Sequence, residues 1–209
     1  MGRPDAHDFL AKTHVREIHL FDGDRYFQHN AFRAPGASSR ETLDRQLYKV
    51  AYFHEIYSAM HRGIVAHAEM ITEVNVAALM GYDFVFVCVD KGSVRQLIAD
   101  ALESTSTIFL DAGMGVNLTD DHQNLWGSCR LTTSSPESRP EARARLPVVD
   151  REDDLYRSNI QIAELNCMNA LMAIFKWKRL SGIYLSDRND FNTTFSLSLN
   201  QISNEEKDQ

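Results

Sequence analysis

The sequence predicts an α/β protein with a Rossmann-like, doubly wound, mostly parallel sheet, followed by antiparallel strands and a long buried helix. One observation is that strand-like and helix-like segments alternate through the first half, and the strands end in acidic or glycine-containing turns. Another is that residues 83–89 (DFVFVCV) are apolar on both faces, as in a parallel strand covered by helices on both sides. We therefore expect residues 1–209 to form a single domain.

The strands and helices of the first half are predicted from the spacing of apolar residues along the chain. Short apolar runs predict strands at residues 18–21, 64–71, 83–89 and 107–110. Apolar residues three or four apart predict helices at residues 8–12, 40–61, 73–80 and 93–104. Gly63 is expected to end the long helix, and Asp111 to Gly113 are expected to form a turn after the last of these strands.

The second half changes in character. Residues 125–133 (LWGSCRLTT) are interpreted as an antiparallel strand, and the prolines and charges of residues 134–158 as a mobile crossover or linker. Residues 159–180 are apolar on nearly every side, which indicates a long helix buried in the core or against another subunit. A last strand is expected within residues 191–202, and residues 203–209 are expected to be a disordered tail.

Composition excludes several classes of protein. A net charge of −7 opposes binding to the phosphates of nucleic acid or to an anionic membrane. No apolar run is long enough for a membrane span, and the amino-terminal residues lack the core of a signal peptide. Three widely spaced cysteines predict neither a disulfide framework nor a zinc site, so a reducing cytoplasm is the expected compartment.

Five polar residues are candidates for a nucleotide site: Asp22, Asn30, Arg33, Lys49 and Asp90. Asp22 and Asp90 each close a predicted strand, and in a parallel sheet the carboxyl ends of the strands form the ligand-binding edge. A carboxylate there can accept hydrogen bonds from two ribose hydroxyls, and the amide and the cations suit phosphates. The alternative is that the lysine is solvated and that the aspartates cap helices.

Several motifs occur in order along the chain: DGD at residues 22–24, N-x-x-R at residues 30–33, Lys49, DFVFVCVD at residues 83–90, DAGMGV at residues 111–116 and the long segment from Asn159. In this set of motifs the sequence resembles the ThiF/HesA/MoeB family, whose fold occurs in ubiquitin-activating enzymes. The resemblance implies an adenylyltransferase that uses ATP to activate the carboxyl terminus of a ubiquitin-like or sulfur-carrier protein.

The resemblance assigns roles to the five candidates. Asp22 would hold the ribose, while Asn30, Arg33 and Lys49 would hold the phosphates. Asp90 would hold magnesium, so Arg33, Lys49 and Asp90 are the expected catalytic residues. The substrate carboxylate is itself the nucleophile, so positioning and electrostatics suffice and no general base is needed.

The sequence also departs from the family pattern. The family's first strand and its glycine-rich turn would precede residue 8, where only MGRPDAH stands. We therefore expect an amino-terminally truncated fold, in which the central strand is missing and its two neighbours have unpaired edges. A non-catalytic, partner-binding module of the same fold is the alternative function, and a Rossmann oxidoreductase is a weaker third.

Two further interpretations concern single residues. Cys129 lies near the position of a catalytic thiol in some family members, but a buried structural thiol fits its place within a predicted strand. Asn159, Asn166 and Ala170 fall on one face of the long helix, which predicts close helix packing and a homodimer interface.

Overall fold

A computed structural model describes residues 5–34, 36–121, 123–150 and 162–207. The strands are β1 (Ile18–Phe21), β2 (Ile64–His67), β3 (Phe84–Val87), β4 (Ile108–Leu118), β5 (Leu125–Ser134), β6 (Asp190–Ser196) and β7 (Gln201–Glu206). The helices are α1 (Asp5–Ala11), α2 (Gln28–Ala31), α3 (Arg40–Asp44), α4 (Lys49–Tyr57), α5 (Gly92–Leu102), α6 (Arg139–Arg145) and α7 (Ala163–Leu180). A 3-10 helix (Val76–Gly81) lies between β2 and β3.

The strands form two sheets. β1 and β2 pair in parallel, with Ile18 opposite Ile64. The second sheet has the order β3-β4-β5-β6-β7, in which β3 and β4 are parallel and the later pairs are antiparallel. The Rossmann-like α/β class is therefore confirmed, with parallel pairing in the first half and antiparallel pairing in the second.

Helices cover both faces of the strands, as in a doubly wound fold. One core brings α1, α4 and α7 onto β1, β4 and β5, and it includes Leu10, Phe53, Leu110, Leu165 and Trp177. The other core packs α5 and the 3-10 helix onto β3 and β4, and it includes Leu79, Val87, Ile98, Leu102 and Phe109. Within the described ranges, no helix has both the length and the apolar character that crossing a bilayer requires.

The predicted helix at residues 40–61 is wrong as a single element. It is divided into α3 and α4, because Gln46 adopts a positive φ of 46° and Tyr48 forms a β-bridge with Arg25. Hydrophobic spacing continues through this break, so periodicity could not reveal it. The strand predicted at residues 64–71 stops at His67.

The turn predicted at Asp111 to Gly113 is also wrong, because β4 continues to Leu118 and forms a long hairpin with β5. Glycines permit this hairpin, since a Cβ atom on Gly127 would lie 2.3 Å from the carbonyl oxygen of Gly115. Asp111 is fully buried and bonds to Arg95 at 2.6 Å, so this acidic residue stabilises a strand interior.

The last part of the chain is more regular than expected. Helix α6 lies within the predicted linker, and Arg139 is buried and donates to the carbonyl of Thr107 at 3.1 Å. Residues 151–158 of that linker lie outside the described residues. The expected single strand is a hairpin of β6 and β7, and residues 203–206 of the expected disordered tail belong to β7.

Candidate functional site

The acidic loop after β1 is tied to the start of α4. The backbone N–H of Asp24 donates to Asp22 Oδ1 at 2.7 Å, which closes a tight turn. The backbone N–H of Lys49 donates to the carbonyl of Asp24 at 2.9 Å. The loop and the first residue of α4 are thus held together through backbone groups, which places the Lys49 side chain beside both carboxylates.

Lys49 is only 3% exposed, so its ammonium group needs charged partners. Its Nζ atom lies 2.7 Å from Asp24 Oδ2 and 3.4 Å from Asp22 Oδ2. Burial alone would raise the pKa of Asp24, but the hydrogen bond and the charge of Lys49 bring that pKa below its usual value. The two carboxylates therefore hold a charged lysine at the end of β1.

Helix α2 contributes the next groups. Asn30 is 5% exposed, and its Oδ1 atom accepts a hydrogen bond from the backbone N–H of Phe27 at 2.9 Å, which stabilises the start of the helix. Burial and the charges of Arg33 and Lys49 lower the pKa of His29, although the Asp24 carboxylate opposes this effect. His29 therefore lies in the electrostatic field of both cations.

Arg33 connects this group to the end of β3. Burial lowers the pKa of Arg33, and the negative charge of Asp90 opposes that shift, so the two side chains are within electrostatic reach. Asp90 is exposed and stands two residues before α5. Four of the five predicted residues are thus connected in two pairs, since Lys49 contacts Asp22 and Arg33 lies within electrostatic reach of Asp90. Asn30 lies in the same short helix that precedes Arg33.

Two members of this cluster were not among the predicted site residues. Asp24 is the nearer partner of Lys49, and His29 lies within electrostatic reach of Arg33 and Lys49. The DGD motif contained Asp24, but nothing in the local sequence showed that Lys49 would be buried and would need this second carboxylate. No sequence signal marked His29, because its position depends on the short turn of helix that precedes Arg33.

The described residues contain no group of three or more metal-ligating side chains. Exposed Asp90 is a carboxylate of the kind that binds Mg²⁺ together with substrate phosphates, as this ion commonly needs only one or two protein carboxylates. The site therefore fits a cation that arrives with a polyphosphate.

The other candidates lie elsewhere. Cys129 is 0% exposed within β5, and its Sγ atom is 3.7 Å from Met172 Sδ, so this thiol is part of the core. Asn166 and Ala170 are also buried and line an internal cavity with Ala6 of α1. They therefore do not form an outer interface between subunits, and Asn159 lies outside the described residues.

The fold is shared with several solved structures at low sequence identity. PaaA is 14% identical with a TM-score of 0.67, and the match covers 96% of this chain and 59% of that one. MccB from E. coli, solved with ATP, is 13% identical with a TM-score of 0.67, over 99% of this chain and 62% of that one. TcdA (CsdL) is 17% identical with a TM-score of 0.58, over 85% of this chain and 81% of that one.

The chain thus spans about 60% of the length of PaaA and MccB, which are matched over 59% and 62% of their chains. MccB has also been solved with AMPCPP and MccA. The sequence matches no protein-family model. It also matches none of the curated proteins with which it was compared.

Proposed function

We propose that this protein is an ATP-dependent adenylyltransferase that activates the carboxyl terminus of a ubiquitin-like or sulfur-carrier protein. The observation that carries this proposal is the buried Lys49 ammonium, held 2.7 Å from Asp24 and within electrostatic reach of His29. The cations Lys49 and Arg33, with exposed Asp90 within electrostatic reach of Arg33, suit a magnesium-bound polyphosphate. The same fold in MccB, which has been solved with ATP, supports ATP as the ligand.

The proposed roles follow from position and charge. Asp22, at the end of β1, accepts hydrogen bonds from ribose hydroxyls, while Asn30, Arg33 and Lys49 hold the phosphates. Asp90 holds Mg²⁺, which neutralises phosphate charge when bound. We add Asp24 as the residue that positions Lys49, and His29 as a further phosphate donor in its protonated form.

The chemistry then requires positioning and electrostatic stabilisation. A carboxylate oxygen of the acceptor protein forms a bond to the α-phosphorus of ATP, and the bond from that phosphorus to the bridging oxygen breaks. Pyrophosphate leaves with the electron pair, and an acyl-adenylate remains. Arg33 and Lys49 stabilise the charge that develops on the phosphate oxygens, so no protein group has to remove a proton.

Nucleotide binding is the first test. Isothermal titration calorimetry with ATP and Mg²⁺ is expected to show binding, and Arg33→Gln should weaken it about tenfold to a hundredfold because a charged hydrogen bond is lost. Asp90→Asn should weaken binding in the presence of Mg²⁺ and leave magnesium-free binding nearly unchanged. Arg45→Gln is the matched control, since Arg45 pairs with Glu55 on the surface.

Adenylation itself is tested by ATP–pyrophosphate exchange with candidate acceptor proteins. Exchange that depends on the acceptor's carboxyl-terminal carboxylate supports the proposal. ATP binding that Arg33→Gln and Arg45→Gln reduce equally would contradict the proposed site. We also propose a homodimer, and sedimentation at several protein concentrations will measure the oligomeric state.

A second candidate function is partner binding without catalysis. The observation that favours it is that β1 and β3 do not pair with each other in the described part of the chain. A folded chain that binds an acceptor protein but neither binds ATP nor supports exchange would favour this function over the first.

A further inference from the structure

Two histidine side chains on neighbouring strands lie in contact outside the candidate nucleotide site. In the register of β1 and β2, His67 is opposite Phe21, so His19, Phe21 and His67 lie on one face of this sheet. His19 Nδ1 lies 2.9 Å from His67 Nε2. Imidazole is the commonest metal ligand among side chains, and two of its nitrogens this close together can bind one ion.

Neighbouring aromatic rings fix the orientation of both imidazoles. The ring of His67 stacks on that of Phe21, with centroids 4.2 Å apart and an interplanar angle of 6°. The ring of Tyr82 packs against His19 at 4.8 Å. Burial and the charge of Glu17 raise the pKa of Tyr82, so its phenol stays protonated and is not itself a metal ligand. The two histidine nitrogens are therefore held in place before any ligand arrives.

Glu17 completes the arrangement on the other side of His19. Its Oε2 atom lies 3.3 Å from His19 Nε2, the ring nitrogen that does not face His67. A carboxylate there favours the tautomer with the proton on Nε2, which leaves the lone pair on Nδ1 for a metal ion. Glu17 also pairs with Arg16 at 3.9 Å, but the Arg16 side chain is 93% exposed and that of Glu17 is 52% exposed. Ions in solution can therefore reach the cluster.

The distance between the two nitrogens selects the kind of ion. Imidazole nitrogens bind first-row metal ions at about 2.0–2.1 Å, so two of them at right angles are about 2.9 Å apart, whereas tetrahedral angles separate them by about 3.3 Å. The observed 2.9 Å therefore matches neighbouring positions of a square-planar or tetragonal ion. Cu²⁺ and Ni²⁺ prefer this geometry with nitrogen and oxygen ligands, while Zn²⁺ prefers a tetrahedron.

We propose that His19 Nδ1 and His67 Nε2 bind one Ni²⁺ or Cu²⁺ ion, with Glu17 accepting the hydrogen bond that orients His19. His67 then carries its proton on Nδ1. Water molecules fill the remaining positions, since the described residues contain no group of three or more metal-ligating side chains. This inference does not rest on the proposed function, because no step in it requires ATP.

The bound ion would link β1 to β2, which form a sheet of only two strands. Two strands alone are marginally stable, and an ion that binds only the folded form stabilises them by mass action. The backbone N–H of Asp22 donates to the carbonyl of His67 at 3.3 Å, so the link lies next to the acidic loop after β1. The proposed site is thus a structural clip between the two strands.

Isothermal titration calorimetry of the untagged 209-residue chain with NiCl₂ is the first test. His19→Gln should weaken Ni²⁺ binding at least tenfold, whereas His14→Gln, the matched control at an exposed histidine, should leave it unchanged. Glu17→Ala keeps both ligands, changes a half-exposed position and should weaken binding about tenfold. Zn²⁺ should bind more weakly than Ni²⁺. Circular dichroism confirms that each variant is folded.

Hydrogen exchange is the second test. With Ni²⁺ a hundredfold above its Kd, exchange at the Asp22 amide should slow by up to about a hundredfold. The reference is the Leu197 amide, which donates to Gly127 in the other sheet and should not change. No Ni²⁺ binding, equal affinities of His19→Gln and His14→Gln, or unchanged exchange at Asp22 would each overturn the site. Tighter binding of Zn²⁺ would overturn the tetragonal geometry, and an unchanged affinity in Glu17→Ala would overturn the role of Glu17.

Discussion

The ammonium group of Lys49 lies 2.7 Å from a carboxylate oxygen of Asp24 and 3.4 Å from one of Asp22. The lysine side chain is 4% exposed, whereas that of Asp24 is 39% exposed. The acidic loop therefore neutralises a buried cation and orients it toward the end of β1. An anionic ligand at this edge would compete with Asp24 for the same ammonium group, so the ion pair sets both stability and ligand affinity.

Removing the charge of Asp24 should destabilise the fold. In Asp24→Asn the buried Lys49 ammonium keeps only the longer contact with Asp22, so we expect the free energy of unfolding to fall by about 1–2 kcal/mol. Urea denaturation followed by circular dichroism measures this change. The control is Asp187→Asn, because Asp187 lies in an exposed loop. Equal stability of the two variants would show that Asp24 is not the main partner of Lys49.

The same ion pair predicts a dependence on pH. The folded-state pKa of Asp24 is below the usual 3.8, so its stabilisation is complete above about pH 4 and is lost as pH falls through the lowered pKa. The difference in unfolding free energy between the natural chain and Asp24→Asn should therefore be constant near neutral pH and narrow below about pH 4. A difference that widens on acidification would contradict the assigned pKa shift.

The buried Asp111 should be more important to stability than any surface charge. Its carboxylate is fully buried and bonds to Arg95 and Arg130, and Arg95 also donates to the carbonyls of Val89 and Pro147. Asp111→Asn leaves two guanidinium groups without their counter-ion, so we expect a loss of about 3–5 kcal/mol. Thermal unfolding of this variant and of Asp187→Asn gives the comparison, and similar midpoints would contradict the prediction.

His29 should titrate below its usual pKa of 6.5, first because of burial and then because of the charges of Arg33 and Lys49. Since the unfolded chain binds the proton more tightly, His29 lowers stability as pH falls below about 6.5. Arg33→Gln should raise the His29 pKa, whereas Arg45→Gln should not change it. NMR titration of the imidazole measures the pKa of His29 in both variants. An unchanged pKa in Arg33→Gln would show that the charge of Arg33 does not act on His29.

Prediction from sequence succeeded where local pattern and burial agree. The two-faced apolar run at β3 and the acidic turn after β1 were both recognised, and the structure places Asp22 and Lys49 within 3.4 Å of each other. It failed where contacts distant in sequence override local signals. Asp111 resembles a strand-ending turn residue, yet Arg95 neutralises it inside β4. Asp24 and His29 were missed because their importance depends on a lysine 25 and 20 residues away.

By itself, the sequence determined the alternation of strands and helices, because the spacing of apolar residues and the choice of turn residues are signals that extend over only a few neighbouring positions. It also determined which residue types are available for phosphate and magnesium chemistry. Only the tertiary structure decided that Lys49 is buried against Asp24, that the helix predicted at residues 40–61 is divided into two, and that β4 continues through Asp111 to pair with β5. These features depend on burial and strand pairing between distant segments, which no local pattern encodes.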